Sequence, residues 1–253
     1  MKDAFINRIN HLRQFGISEK TAHALAAPAA PENKDSHMEW HNLDSDNPEL
    51  YIYEQIGFDW MSGEGVSAMQ FAEQLNNLEG KDLTVRINSP GGDVFDGVAI
   101  YNQLNEYTGH VHVIIDGIAA SAASIIAMAG DTVSMAQTSQ LMIHDAWTMA
   151  MGNEQAMREI ADVLEKIDDQ IAGVYAIRSG RRKSTWREMM NKDTYFTPEE
   201  AIEAKLVDEV LKPAKKRPKA EMQDAEQPGE PTPRPKGRKV NLISAKLPAI
   251  RLA

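Results

Sequence analysis

Gly117-Ile118-Ala119-Ala120-Ser121-Ala122-Ala123-Ser124 is followed, after a short connection, by Leu141-Met142-Ile143-His144. The first stretch reads as a glycine turn feeding a helix that opens at Ser121. The second reads as a short apolar strand that closes on a lone histidine. A hydroxyl presented at a tight turn, with an imidazole returning on the next strand, is what acyl transfer at a carbonyl requires. Upstream, Asn88-Ser89-Pro90-Gly91-Gly92 offers backbone N–H groups with no side chain in the way of an oxyanion.

Outward from these blocks the pattern is a strand–helix rhythm. Strands are expected near 49–53, 83–87, 111–115, 132–135 and 140–144, with a last one near 206–210. Helices are expected over 67–78, 94–107, 120–129 and, longest of all, 154–178. In the first helix Met69, Phe71, Leu75 and Leu78 are assigned to the core. In the long one, Met157, Ile160, Leu164, Ile167, Ile171 and Val174 recur at steps of three and four. Its length suits packing against another subunit. Thr197-Pro198-Glu199-Glu200 supplies a cap, a proline in the first turn and acidic residues near a helix N-terminus. Units of this length give an α/β fold with functional groups gathered at strand ends.

Three regions follow: an N-terminal helical and linker segment (1–47, with helices at 4–15 and 18–25), a globular domain (48–211), and a tail (212–253). The tail carries seven of the twelve prolines and eleven Lys/Arg against four Asp/Glu. It is therefore +7, and the rest of the chain is −17 of a net −10. An acidic body argues against nucleic acid as a partner, and a tail without interleaved aromatics reads as a solvated segment. There are no cysteines, which removes a thiol nucleophile, disulfides and thiolate-bound metal. The N-terminus lacks a secretory h-region, and the small-residue stretch 114–130 is too short and polar to span a bilayer, so a soluble, cytoplasmic protein is expected.

Each candidate has an ordinary structural reading. Ala- and Ser-rich helix starts commonly serve close packing, lone histidines on apolar runs are commonly core residues, and Gly-Gly commonly makes a loop. Ser121 outranks Ser124, which lies a turn deeper in the expected helix. Asp145 points away from its neighbour His144 if the strand continues. Asp168 and Asp169 read as the solvated face of the long helix, and Asp193 follows it in a loop. Spacing does not choose among these acids.

Ser89-Pro90-Gly91-Gly92, Gly117-Ile118-Ala119-Ala120-Ser121, Met142-Ile143-His144 and Asp193-Thr194-Tyr195-Phe196-Thr197-Pro198-Glu199-Glu200-Ala201 with Leu206-Val207-Asp208 together resemble the proteolytic subunit of the Clp serine proteases. The resemblance covers about residues 50–211. It implies a crotonase-like spiral of strand–strand–helix units with a long handle helix (154–178), and a ring-shaped homo-oligomer enclosing the site. It further implies a nucleophile at Ser121, a base at His144, an orienting acid at Asp193 and oxyanion donors at Gly92 and Ala122, with Gly91 completing the substrate-binding turn. No metal or cofactor is called for. The openings Tyr51-Ile52-Tyr53-Glu54-Gln55-Ile56-Gly57 and 120–130, and the added tails, are most similar to the phage head maturation (prohead) proteases. That branch implies capsid and scaffold precursors, and the chain's own tail, as substrates, with the assembling prohead as its place of action. Asp145-Ala146 stands where the housekeeping pattern has glutamine–proline, which counts against docking to an unfoldase ATPase. Rival expectations are a housekeeping Clp-type peptidase fed by an ATPase, a crotonase-type acyl-CoA enzyme, and a catalytically idle capsid-assembly scaffold.

Overall fold

Strands β1 (Met38–His41) and β2 (Glu49–Ile52) form an antiparallel pair, with Trp40 opposite Leu50. From β2 the chain repeats strand, helix, strand. The computed structural model describes residues 38–43, 45–57 and 65–212. The elements after β2 are α1 (Ala68–Asn76), β3 (Leu83–Ser89), α2 (Val94–Glu106), β4 (Val111–Ala120), α3 (Ala122–Ala127), β5 (Thr132–Met135) and β6 (Gln140–Ile143). They are followed by α4 (Glu154–Ser179), α5 (Lys183–Met190), β7 (Thr194–Phe196), α6 (Pro198–Glu203) and β8 (Glu209–Val210). The spiral α/β arrangement expected from the sequence is the one observed.

Strands β2, β3, β4 and β5 lie side by side and parallel, because each connection carries a helix back across the sheet. Period-two alternation sends Leu50, Ile52, Leu83, Val85, Ile87, Val113, Ile115, Val133 and Met135 into the core, all fully buried, with Phe71, Ile100, Leu104, Ile125 and Ile126 from the helices. Burying each such side chain stabilises the fold by about 1.5–3 kcal/mol. Polar residues occupy the other side of the strands. Arg86 donates to Asp116 there (2.9 Å from Nε), and Tyr53 Oη donates to the same carboxylate at 2.7 Å.

The site is positioned by β4. Its first half pairs with β5 (His112 beside Thr132), and its second half pairs with β6 (Ile118 beside Gln140, Ala120 beside Met142). Strand β6 then pairs antiparallel with β7. Three chain segments thus end together: β4 and β6 arriving, β7 departing. Behind them α4 packs Tyr175 against Trp186 of α5, which in turn meets Phe196 of β7 (ring centroids 5.7 and 6.3 Å apart).

Several expectations change. The segment read as a polar linker contains β1. Strand β4 runs on to Ala120 and α3 starts after Ser121, because the small residues 119–120 pair with β6 before the chain turns. Met69 is 69% exposed, whereas Phe71, Leu75 and Leu78 are buried as expected. Met157 and Val174 are only partly covered. The inward stripe of α4 is Ala156, Ile160, Asp168, Ile171, Ala172 and Tyr175. The expected N-terminal helices and the tail from 213 lie outside the described residues.

Candidate active site

Ser121 sits between the end of β4 and the start of α3, at φ 55° and ψ −126°. A positive φ in a residue with a side chain costs on the order of 1–3 kcal/mol and must be held by its surroundings. The holding contacts are specific. Ser121 N–H donates to Met142 C=O on β6 at 3.0 Å. The carbonyl of Ser121 accepts from Ser124 N–H (2.9 Å) and from Ser124 Oγ (2.6 Å). Ser124 spends its only proton on that bond, so Tyr175 Oη, 2.7 Å away, donates to Ser124 Oγ. Burial pushes the Tyr175 phenol well above its ordinary range, which keeps it a donor. The rival serine is therefore a fully buried support. Ser121 remains partly exposed, and its side chain caps nothing.

The Gly-Gly turn packs directly against this support. A Cβ on Gly91 (φ 92°) would lie 2.5 Å from Ala120 O, 2.6 Å from Ser121 Cβ and 2.9 Å from Ala122 N. Gly91 N–H donates to Ser89 Oγ (3.2 Å), and that hydroxyl donates to Glu54 C=O (2.6 Å). The turn is laced to the β2 side by Ile56 N–H to Gly91 C=O and Asp93 N–H to Ile56 C=O, both 2.8 Å. Among the described residues, neither Gly92 N–H nor Ala122 N–H donates a hydrogen bond; a backbone N–H left in that state can serve an oxyanion.

His144 directly follows β6. In the β6–β7 ladder Leu141 faces Phe196, Met142 faces Tyr195 and Ile143 faces Thr194. The ladder stops there; His144 is the next residue after β6, and Asp193, in a turn, is the last before β7. The other edge of β6 runs beside β4, whose next residue is Ser121. Ser121, His144 and Asp193 therefore share one end of the sheet. Among the described residues no hydrogen bond joins their three side chains. Asp193 (φ 49°) ends the turn after α5, its N–H bonded to Met190 C=O at 3.0 Å.

The other acids are committed elsewhere. Asp145 accepts from Arg187 Nη1 (2.9 Å) and Asn191 Nδ2 (3.2 Å). Asp169 pairs with Lys183 at the surface. Asp168 is not on the solvated face of its helix, as the sequence reading had it. It is 5% exposed, accepts from Ala146 N–H at 2.6 Å, and lies 3.1 Å from Arg187 Nη1. Burial raises its pKa above the usual carboxylate range and Asp145 adds to this, while the Ala146 N–H and Arg187 oppose it. Among the described residues no cluster of three or more His, Asp or Glu side chains could hold a metal ion.

Residues 46–214 match the sequence model of the Clp protease family. This chain belongs to the Clp protease family. Similar proteins include the ATP-dependent Clp protease proteolytic subunit 1 of Prochlorococcus marinus subsp. pastoris, 30% identical over 174 residues (66% of this chain, 85% of the relative). The ATP-dependent Clp protease proteolytic subunit 2 of Parasynechococcus marenigrum is 32% identical over 158 residues (59% and 80%). The proteolytic subunit of Ligilactobacillus salivarius is 33% identical over 138 residues (54% and 70%). Membership of the Clp protease family implies peptidase chemistry. No helix among the described residues is long and apolar enough to cross a membrane.

Sequence reasoning missed three supports of this Clp protease site: the Ser89 hydroxyl, the Ser124–Tyr175 pair and the Arg187 cluster. Only Asp168 left a signal, since it falls eight residues after Ile160 and four before Ala172, on the stripe that faces inward.

Proposed function

We propose that this chain is a serine endopeptidase that hydrolyses peptide bonds through an acyl-enzyme at Ser121. The observation that carries the reading is a partly exposed Ser121 at φ 55°, with the Gly91 turn packed against its Cβ and with Gly92 and Ala122 N–H donating to no described residue. His144 takes the proton from Ser121 Oγ as the oxygen attacks the carbonyl carbon. The carbonyl oxygen becomes an oxyanion held by the two N–H groups, each worth about a hundredfold to a thousandfold in rate. His144⁺ then protonates the departing amine, and water repeats the cycle in reverse to release the acid. Asp193 holds the imidazole in the tautomer that leaves its acceptor nitrogen toward Ser121. No metal or cofactor enters these steps.

The peptidase domain of this reading is 48–211, flanked by appended segments, and it works as a ring-shaped homo-oligomer on protein substrates. Trp147, Met149 and Met151, 73–91% exposed just before α4, support burial against further copies. Capsid and scaffold precursors, and the chain's own tail, are the substrates we assign, on the strength of the segments outside the matched region. A second reading is favoured by the relatives named ATP-dependent proteolytic subunits: digestion of chains delivered by an unfoldase ATPase.

The test is mass spectrometry after treatment with a fluorophosphonate probe. An adduct on Ser121, absent in Ser121→Ala, is expected; a folded, unlabelled wild type would refute the reading. Tail cleavage in the wild type but not in Ser121→Ala would favour the maturation branch. Hydrolysis of folded substrates only with an added Clp ATPase and ATP would favour the second.

A further inference from the structure

His144 makes no side-chain hydrogen bond among the described residues, so its position rests on how the backbone on either side is held. Before it, Ile143 is paired to Thr194 of β7. After it, the chain leaves the sheet, and Asp145 and Ala146 are gripped by side chains from two helices. Arg187, on α5, donates from Nη1 to Asp145 Oδ1 at 2.9 Å and lies 3.1 Å from Asp168 Oδ2 on α4. Asp168 Oδ1 takes the Ala146 N–H at 2.6 Å. Asn191, at the end of α5, holds the other oxygen of Asp145 at 3.2 Å.

We propose that Arg187 is a positioning residue for His144, clamping the exit of β6 to α4 and to the helix that leads into Asp193. One guanidinium serves two carboxylates, and losing it leaves both facing each other without a cation, one of them buried. Such a group is costly to leave unpaired. The two anchored neighbours fix the Cα of His144, and Asn191 ties the same carboxylate to the segment ending two residues later at Asp193. The clamp therefore sets the imidazole relative to both partners at once. This inference rests on the reading of Ser121 and His144 given above.

The experiment is the rate of Ser121 labelling by a fluorophosphonate, with circular dichroism and size-exclusion chromatography of each variant. Arg187→Met should stay folded and label tenfold to a hundredfold more slowly. Asp145→Asn should also slow labelling. Arg187→Lys, which keeps the charge without the planar fork, should recover part of the rate. Wild-type rates in folded Arg187→Met and Asp145→Asn overturn the proposal. So does a lower rate that only tracks loss of folded protein, with no recovery in Arg187→Lys. If Arg187→Met does not fold, near-isosteric Asp145→Asn decides. A wild type unlabelled at Ser121 defeats the peptidase reading and this one with it, whereas a labelled wild type with unaffected variants defeats this one alone.

Discussion

Gly91→Ala isolates the link between the Gly-Gly turn and Ser121. The new Cβ would stand 2.5 Å from Ala120 O, 2.6 Å from Ser121 Cβ and 2.9 Å from Ala122 N. Carbon atoms settle at about 3.5–4.0 Å, so at least one partner must retreat by roughly 1 Å. All three are backbone or Cβ atoms, and no side-chain rotation can absorb the clash. Alanine at φ 92° adds about 1–2 kcal/mol of backbone strain. We expect a melting temperature lower by about 2–8 °C, given roughly 2–4 °C per kcal/mol for a domain of this size. The larger effect falls on chemistry. A 1 Å misplacement of a reacting group costs about a hundredfold in rate, and Ser121 with its Ala122 donor are the atoms displaced. The assay is the second-order rate of fluorophosphonate labelling on Ser121, measured where calorimetry shows the variant fully folded. A folded Gly91→Ala labelled as fast as wild type would refute the reasoning, because the turn would then not set the position of Ser121.

Ser124→Ala should remain labelled on Ser121, since Ser124 is support. The change strands the buried Tyr175 hydroxyl and removes a bond to Ser121 C=O, at a cost of about 1–3 kcal/mol by urea denaturation. An adduct lost with stability unchanged would show that Ser124 had been misread. His112 has its pKa lowered, chiefly by burial on the sheet, where Nε2 meets Ser134 Oγ at 2.7 Å. Below about pH 6.5 the unfolded chain binds a proton that the folded chain refuses, so stability is present above that pH and lost as pH falls toward the folded value. His112→Gln should flatten this slope between pH 7 and 5; identical slopes would sink the assignment. Thr197→Ala removes a capping box in which Thr197 Oγ1 accepts from Glu200 N–H (3.3 Å) and Glu200 accepts from Thr197 N–H (2.8 Å). About 1 kcal/mol of stability should go with it, and a variant as stable as wild type would mean that α6 does not depend on its cap.

Much of the architecture is legible because the patterns are local. Period-two alternation marks β3 and its neighbours, and a cap, proline and two acids mark the start of α6. Ser121, His144 and the Gly-Gly turn could be picked out for similar reasons, as small residues and a histidine at the ends of apolar runs. The long helix was harder. Its periodicity counted apolar residues alone and so assigned Asp168 to water, although a carboxylate can face inward when an N–H and a guanidinium meet it. Met69 shows the converse, an apolar residue left exposed because it lies off the face of α1 that Ala68, Phe71 and Leu75 turn into the core.

By itself the sequence determined the alternation of strand and helix, the sharp turns at 91–92 and 121, and the order in which a serine, a histidine and several acids appear. Only the tertiary structure decided which of those acids are bound up elsewhere. Asp145, adjacent in sequence, is drawn away to Arg187 and Asn191. Asp193, 49 residues on from His144, directly precedes β7, whose antiparallel register with β6 pairs Thr194 with Ile143 and so brings the two strand ends together. Register is a property of two strands at once, fixed by which faces can be buried together, and no single stretch of chain contains it.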